Sequence, residues 1–150
     1  MITVLAGGVG AARFLQGLVR VVPPSEITVI SNTGDDAEFY GLYVSPDIDI
    51  VLYTLAGIVD ESKGWGVHDD TFHALAMLGR YGEETWFQLG DHDLATHIYR
   101  THRRQQGGTL TEITASLCHA LGVAVRILPM SEERVITKVQ TPAGTFDFQE

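Results

Sequence analysis

Two carboxylates separated by a single residue, Asp47 and Asp49, follow the dipeptide Ser45-Pro46. In an extended segment, side chains two positions apart project to the same side, so these aspartates could share one divalent cation. Pro46 favours this arrangement because it disfavours helical geometry at Ser45. The alternative is an ordinary helix start, with Asp47 as the cap and Asp49 in the first turn. Capping does not exclude metal binding, so a cation site at Asp47 and Asp49 is our prediction.

A glycine turn lies near the start of the chain, where Gly7, Gly8 and Gly10 follow an apolar run. Between a strand and a helix, backbone N–H groups and the helix dipole converge on one point and favour an anion such as phosphate. The turn is not a Walker loop, and Arg13 stands where a third glycine of GxGxxG belongs. A tight structural turn is the alternative to a phosphate site.

A second polar turn, Asn32-Thr33-Gly34-Asp35-Asp36, follows the next apolar run. In an open parallel sheet, ligands bind at the carboxyl ends of the strands, so this turn should lie near the glycine turn. The alternative is an Asx turn whose acids are only solvated. Carboxylates beside a phosphate repel it unless a cation lies between them, which again implies a divalent metal.

Another acidic pair, Asp91 and Asp93, stands beside Gly90 and opens a helical segment with His97 and Arg100 on one face. The guanidinium of Arg100 could clamp a phosphate. For His97 alone, a structural role with satisfied hydrogen bonds is the more common outcome. The His and Cys spacing does not match a zinc site.

Aromatic residues provide a second kind of candidate contact. Trp65 lies between two glycines, and Trp86-Phe87 precedes Gln88. Such rings could stack on a planar heterocycle, although Trp86 and Phe87 are the kind of residues that usually pack in a core.

The elements that must hold these residues follow from apolar periodicity and breakers. Alternating strands and helices predict an α/β fold, Rossmann-like, with an open and mainly parallel sheet, helices on both faces and a small C-terminal β-hairpin. Asp49–Ile58 is predicted as a buried helix, with a strand as the alternative. The predicted strands are Ile2–Ala6, Ile27–Ile30 and Val123–Leu128; the helices are Ala11–Val22, Asp49–Ile58, Thr71–Tyr81, Leu94–Gln105 capped by Asp93, and Glu112–Leu121 opened by Thr111; the hairpin pairs Val135–Gln140 with Thr145–Gln149.

Composition narrows the classes of partner. The 150 residues fit one domain, and the net charge of −9 is opposite to that of a nucleic-acid binder. No segment approaches the ~20 apolar residues of a membrane helix. No secretory signal is visible and Cys118 is the single cysteine, so we expect a cytoplasmic protein.

Taken together, the ordered motifs resemble those of the 2-phospho-L-lactate transferase family. The resemblance runs through residues 1–150, and because family members are longer, we expect the N-terminal part of a longer chain, with the whole segment forming a nucleotide- and deazaflavin-binding domain. The motifs are Gly7-Gly8-x-Gly10, Asn32-Thr33-Gly-Asp35-Asp36, Gly41-Leu42, Ser45-Pro46-Asp47-x-Asp49, Gly64-Trp65-Gly66, Leu89-Gly90-Asp91-x-Asp93, Ala95-Thr96-His97 and Leu128-Pro129-Met130-Ser131.

The resemblance implies a step of coenzyme F420 biosynthesis. The ribityl hydroxyl of the deazaflavin Fo attacks a GDP-activated lactate or enolpyruvate, and GMP leaves. Asp47 or Asp49 would bind Mg²⁺ and orient or deprotonate the hydroxyl. The residues implied in substrate or nucleotide binding are Gly7, Gly8, Gly10, Asn32, Thr33, Asp35, Asp36, Asp49, Trp65, Gln88, Asp91, His97 and Arg100.

One position departs from the family pattern, because Gln88 stands where a Lys or Arg usually precedes Leu-Gly-Asp. A non-catalytic nucleotide-sugar-binding regulatory protein of the gluconeogenesis-factor type is the alternative. The Gly64-Trp65-Gly66 and Trp86-to-Asp91 segments favour the transferase. The partners implied are small molecules, with no nucleic acid and no membrane; the sequence leaves open whether the protein forms a homodimer.

Overall fold

The computed structural model describes residues 1–147 and consists of seven strands and five α-helices within that range. A short 3₁₀ turn, Pro24–Glu26, leads into the second strand. The elements are β1 (Ile2–Ala6), α1 (Gly8–Leu18), β2 (Ile27–Ser31), β3 (Ala37–Phe39), β4 (Leu42–Val44), α2 (Pro46–Ala56), α3 (His73–Arg80), α4 (Asp91–Gln105), α5 (Leu110–Ala120), β5 (Arg126–Pro129), β6 (Lys138–Thr141) and β7 (Gly144–Asp147).

The central sheet is parallel, in the order β1-β2-β5, with Val4 opposite Val29 and Val29 opposite Ile127. This row faces the core together with α1, α2 and α5. Both crossovers move in the same direction across the sheet, so the right-handed rule places their helices on one face. The buried apolar side chains of this core are Ala6, Ala12, Leu15, Ile27, Val29, Ile50, Val51, Leu52, Tyr53, Ile113, Leu117, Cys118, Val125 and Ile127.

The opposite face of the sheet carries Leu5, which is 79% exposed, and the half-buried Ile30 and Leu128. The predicted α/β class, parallel sheet and C-terminal hairpin are confirmed. The predicted helices flank the sheet, and α1, α2 and α5 contribute buried residues to its core.

Helix starts differ from the sequence predictions in ways that matter for the site. α1 begins at Gly8 rather than Ala11, which places Gly8 and Gly10 in its first turn. α2 begins at Pro46, where the fixed φ of proline suits the first helical position. Asp93 lies inside α4 and does not cap it, since Gly90 is the cap residue.

The cap of α5 is Thr109 rather than Thr111. The Thr109 side chain accepts from the Glu112 N–H while the Glu112 carboxylate accepts from the Thr109 N–H, which forms a capping box. Thr111 instead donates its hydroxyl to Glu132, in the segment after β5. That segment therefore fastens to the start of α5.

Two hairpins flank the core. The β3–β4 hairpin was absent from the predicted elements; its turn residues Tyr40 and Gly41 both have positive φ, 53° and 73°, as a type I′ turn requires. The β6–β7 hairpin turns between Thr141 and Gly144, as predicted, and the predicted strand end at Gln149 lies outside the described residues. Within residues 1–147, every helix is too short or too polar to cross a bilayer.

Candidate functional site

Asn32 and Asp47 lie against the glycine turn at the carboxyl ends of β1 and β2, and Asp35 lies beside Asn32. We call these three polar side chains the acidic edge. The Asn32 amide Nδ2 donates to Asp47 Oδ2 at 2.7 Å and to Asp35 Oδ2 at 3.5 Å. A Cβ placed on Gly8 would lie 3.4 Å from Asp47 Oδ1, so the carboxylate packs against the turn. The prediction that the glycine turn and the polar turn beginning at Asn32 lie near each other is confirmed.

The carboxylate of Asp47 lies at the N-terminus of α1. Burial raises its pKa and the nearby charge of Asp35 raises it further, while the Asn32 amide and the Gly8 backbone N–H lower it. The two carboxylates thus repel each other at a turn whose N–H groups favour an anion. A phosphate at this turn requires a cation between it and the acidic edge.

Asp47 and Asp49 do not project to the same side. The expectation of an extended segment is wrong because the helix begins at Pro46, and residues two apart in a helix differ by about 200° around the axis. Asp47 contacts the glycine turn, whereas Asp49 turns to α4. The two aspartates therefore belong to separate clusters.

Thr33 and Asp36 lie beneath the polar turn. Asp36 is 4% exposed, and its Oδ2 accepts from the Tyr43 hydroxyl at 2.7 Å and the Ser45 hydroxyl at 2.9 Å. Burial raises the pKa of Asp36 to about 6. Because both side chains are buried, they shape the turn from below rather than face a ligand. The Gly34 N–H donates to Asn32 Oδ1 at 3.0 Å, which forms an Asx turn, but the alternative in which the acids are only solvated is wrong for Asp36.

A buried ionic cluster joins α2 to α4. Arg100 is fully buried; its Nη1 donates to Asp49 Oδ2 at 3.1 Å and its Nη2 donates to Asp49 Oδ1. The predicted role of Arg100 as a phosphate clamp is wrong for this geometry, because the guanidinium is enclosed and paired. Tyr53 donates its hydroxyl to Asp93 Oδ1 at 2.8 Å, and His97 lies between the two aspartates.

The neighbours of His97 determine which ring nitrogen carries the proton in its neutral form. Nδ1 lies 3.1 Å from Arg100 Nη1, which can only donate, so Nδ1 accepts and Nε2 carries the hydrogen. Nε2 lies 3.2 Å from Asp93 Oδ1, out of alignment for a hydrogen bond. Burial raises the pKa of Asp93, but His97, the Tyr53 hydroxyl and the charge of Arg100 lower it, and the pKa is lowered overall.

Ligand atoms of Asp49, Asp93 and His97 lie within 4.8 Å of one another, a spacing that metals use. However, Arg100 already takes both oxygens of Asp49 and Tyr53 takes one of Asp93. A positive guanidinium in contact with the same carboxylate disfavours a second cation. The acidic edge is therefore the better cation site.

An aromatic cavity of about 370 Å³ lies beside this cluster. Trp65 and Trp86, 41% and 59% exposed, stand in its wall with Phe87. The expectation that Trp86 packs in the core is wrong; it meets Phe87 edge-on, while Phe87 stacks on Phe39 at 3.9 Å. The remaining residues that line the cavity are Val44, Pro46, Asp49, Ile50, Tyr53, Gly66, Gln88, Leu89, Asp93 and His97.

Asp91 has a structural role that the sequence did not reveal. Its carboxylate accepts from the N–H groups of His73 and Ala74 at 3.0 Å each, and so caps α3. In return, Asp70 accepts from the His92 N–H at 2.9 Å and caps α4. These two reciprocal caps anchor the loop that carries Trp65.

Sequence reasoning missed several partners in these clusters. Tyr53 lies one helical turn beyond Asp49, a spacing that could have revealed it. Phe39 and Asp70 carried no local signal, since their partners lie far along the chain. Tyr43 meets Asp36 through the β3–β4 hairpin, which was not predicted. Gln88 is exposed and its amide donates to the Thr85 carbonyl at 2.9 Å.

The fold and the site define an α/β domain in which a parallel sheet presents a glycine turn, an acidic edge and an aromatic cavity. The chain belongs to the 2-phospho-L-lactate transferase family, since the family model described as 2-phospho-L-lactate transferase CofD matches residues 2–150. The family expected from the order of motifs is confirmed.

Named relatives agree with this membership. The chain is 51% identical over 139 residues to the phosphoenolpyruvate transferase of Streptomyces avermitilis, covering 92% of this chain and 44% of that protein. It is 43% identical over 152 residues to the phosphoenolpyruvate transferase of Mycobacterium tuberculosis, covering 92% of this chain and 46% of that protein. The chain thus spans a little under half the length of these curated relatives.

A solved structure shares the fold. The crystal structure of a UPF0052 family protein from Bacillus halodurans superposes with a TM-score of 0.60 at 18% identity, covering 98% of this chain and 45% of that one. At this identity the likeness concerns the fold alone.

Proposed function

We propose that the protein containing this chain transfers a phosphoenolpyruvyl or 2-phospholactyl group from a GDP-activated donor to the ribityl hydroxyl of Fo, in coenzyme F420 biosynthesis. One observation carries the proposal: Pro46 lines the aromatic cavity, and the next residue, Asp47, contacts the glycine turn. A planar acceptor and a diphosphate donor would therefore meet at the start of α2. The relatives named phosphoenolpyruvate transferase favour the enolpyruvyl donor.

The aromatic cavity suits the deazaflavin ring. Trp65 and Trp86 offer π-faces for a planar heterocycle, and a volume of about 370 Å³ is within the range of small-molecule sites. Asp93 and His97 lie in the wall as polar groups that can orient the ring. Gln88, exposed at the rim, supplies a hydrogen bond without charge.

The glycine turn suits the donor diphosphate. Gly7 and Gly10 are exposed at the N-terminus of α1, and the Asn32 amide lies beside them. The partly buried oxygens of Asp35 and Asp47 repel each other and fit a hard divalent cation, so these residues would hold Mg²⁺. Bound there, Mg²⁺ supplies the positive charge that a diphosphate needs beside two carboxylates.

The transfer itself consists of one exchange of bonds at phosphorus. The ribityl oxygen forms a bond to the phosphorus that carries the organic acid, the bond to GMP breaks, and the hydroxyl proton leaves. Asp47, at the junction of the two sites, would orient that hydroxyl and accept its proton. Asp49 acts through Arg100 as a positioning residue, since both its oxygens are bound. Phosphoryl transfer of this kind needs positioning and charge neutralisation, not a covalent protein nucleophile.

The test supplies Fo and Mg²⁺ with donors that carry lactate, enolpyruvate or glycerate, and measures GMP release and the phosphodiester product. We expect Mg²⁺-dependent release, fastest with enolpyruvate. Tight nucleotide-sugar binding without product from any donor would contradict the transferase and favour the regulatory alternative.

A further inference from the structure

A groove separate from the aromatic cavity runs between α1 and α2 and has a volume of about 290 Å³. From α1, Val9, Arg13 and Gln16 line it at helical spacing, and α2 contributes Ile50 and Thr54. The loop after α2 closes one side, where a Cβ on Gly64 would lie 3.6 Å from Val9 Cγ1. This α1–α2 groove is thus built by three segments that also build the candidate site.

Arg13 gives the groove a charge that the rest of the site lacks. Residues 1–147 line four cavities, and among the residues that line them Arg13 is the one Lys or Arg. It is exposed, and within the described residues no carboxylate lies in ion-pair distance of it. The acid in the groove, Glu61, accepts from the Gln16 amide at 3.1 Å, one helical turn beyond Arg13. In a chain of net charge −9, the guanidinium is available to an anion.

The position of Arg13 relates the groove to both halves of the site. It follows Gly10 by one helical turn, so an anion bound there lies next to a diphosphate at the glycine turn. Ile50 lines both the groove and the aromatic cavity. Gly64 lines the groove, and its neighbour Trp65 lines the aromatic cavity. A group that extends from the transferred phosphorus can therefore reach Arg13 without leaving the site.

We infer that Arg13 binds the carboxylate of the organic acid on the activated donor, which makes it a specificity residue of the α1–α2 groove. This inference rests on the proposed function. Arginine presents two parallel N–H donors that match a carboxylate, and such charge-assisted pairs are among the stronger hydrogen bonds. The apolar side chains of Val9 and Ile50 would contact the small carbon part of the acid.

Calorimetric titration of the protein with two probes tests the inference: GDP, which lacks the carboxylate, and the GDP-activated enolpyruvate donor. We expect Arg13→Gln to weaken donor binding roughly 10- to 100-fold and to leave GDP binding within about twofold, as the loss of a charged hydrogen-bond pair predicts. Arg13→Lys keeps the charge but not the paired donors, so its affinity for the donor should lie between those of wild type and Arg13→Gln. Arg20→Gln, an exposed arginine just beyond α1, is the matched control and should change neither affinity.

The outcomes separate this inference from the proposed reaction. Equal donor affinity in wild type and Arg13→Gln overturns it, and so does an equal loss of GDP and donor binding, which would assign Arg13 to the diphosphate. A selective loss of donor binding supports the assignment even if no product forms with Fo, a result that would instead overturn the proposed transfer.

Discussion

Asp49 and Arg100 join α2 to α4 through a buried ion pair in which both carboxylate oxygens accept from the guanidinium. The pair fixes the helix that carries Asp47 against the helix that carries Asp93 and His97. It therefore sets the spacing between the acidic edge and the aromatic cavity. Burial alone would lower the pKa of Arg100, but Asp49 raises it overall, so the guanidinium stays charged.

Removing the guanidinium should destabilise the fold strongly. Arg100→Ala leaves Asp49 buried without its partner, and breaking such pairs costs about 3–5 kcal/mol. Urea denaturation measures the change, with Arg103→Ala, an exposed arginine of the same helix, as the control expected within about 0.5 kcal/mol. If Arg100→Ala lowers the free energy of unfolding by less than about 1 kcal/mol, the ion pair does not contribute strongly to holding α2 and α4 together.

Asp47 should matter for turnover more than for stability. Asp47→Asn removes one of two repelling carboxylates at the acidic edge, so we expect an intact fold and a loss of at least roughly 100-fold in Mg²⁺-dependent transfer, the scale of a lost acid–base group. GMP release under saturating Mg²⁺ measures the loss. Asp69→Asn, at an exposed position outside the site, is the control. Full activity in Asp47→Asn would remove Asp47 from the proposed chemistry.

Asp36 should make stability depend on pH. Its pKa is raised from 3.8 to about 6 in the folded chain, chiefly by burial, so the folded state holds this proton more tightly than the unfolded chain. The resulting stabilisation is present below about pH 4, is lost as the pH rises through about 6, and amounts to at most about 3 kcal/mol.

Comparison with Asp36→Asn isolates this effect, because asparagine does not titrate. The free energy of unfolding of wild type relative to Asp36→Asn should fall between pH 4 and pH 6.5 and then level off, which follows from the pKa of about 6. Glu38→Gln, exposed on β3, controls for the removal of one negative charge. A difference that stays constant over this range would contradict the prediction.

Gly34 should tolerate no side chain. A Cβ there would lie 2.8 Å from Thr137 Oγ1 and 3.1 Å from Asn32 Oδ1, and the Gly34 carbonyl accepts from the Thr137 N–H at 2.7 Å. We expect Gly34→Ala to cost about 1–3 kcal/mol through overpacking. Gly17→Ala, inside α1 with open space around it, should instead stabilise the chain by about 0.5–1 kcal/mol. Thermal unfolding distinguishes the two signs.

Trp65 should contribute to acceptor binding. Trp65→Ala removes one wall of the aromatic cavity, and we expect the KM for Fo to rise roughly tenfold, the scale of one aromatic stacking contact, with little change in the KM for the donor. Tyr81→Ala removes a more exposed ring outside this cavity and should leave both values unchanged. Equal effects on both substrates would indicate that Trp65 supports the loop rather than the ring.

Features that depend on residues close together in the sequence could be predicted from the sequence alone. Val29 and its neighbours form the expected buried strand, and Pro46 at the first position of α2 is a local preference of proline. The type I′ turn at Tyr40-Gly41 lacks the Asn-Gly or Asp-Gly pair that usually marks it, so the hairpin was not predicted.

The sequence by itself determined the family, the α/β class and the adjacency of the two polar turns, because motif order and the carboxyl ends of parallel strands are properties of the chain and its topology. Only the tertiary structure decided which aspartate lies against the glycine turn. Asp49 is paired with Arg100 across 51 positions, and its burial depends on how α2 packs on α4. Spacing along the chain could not separate Asp49 from Asp47, since a helix and a strand place the same two residues on different sides.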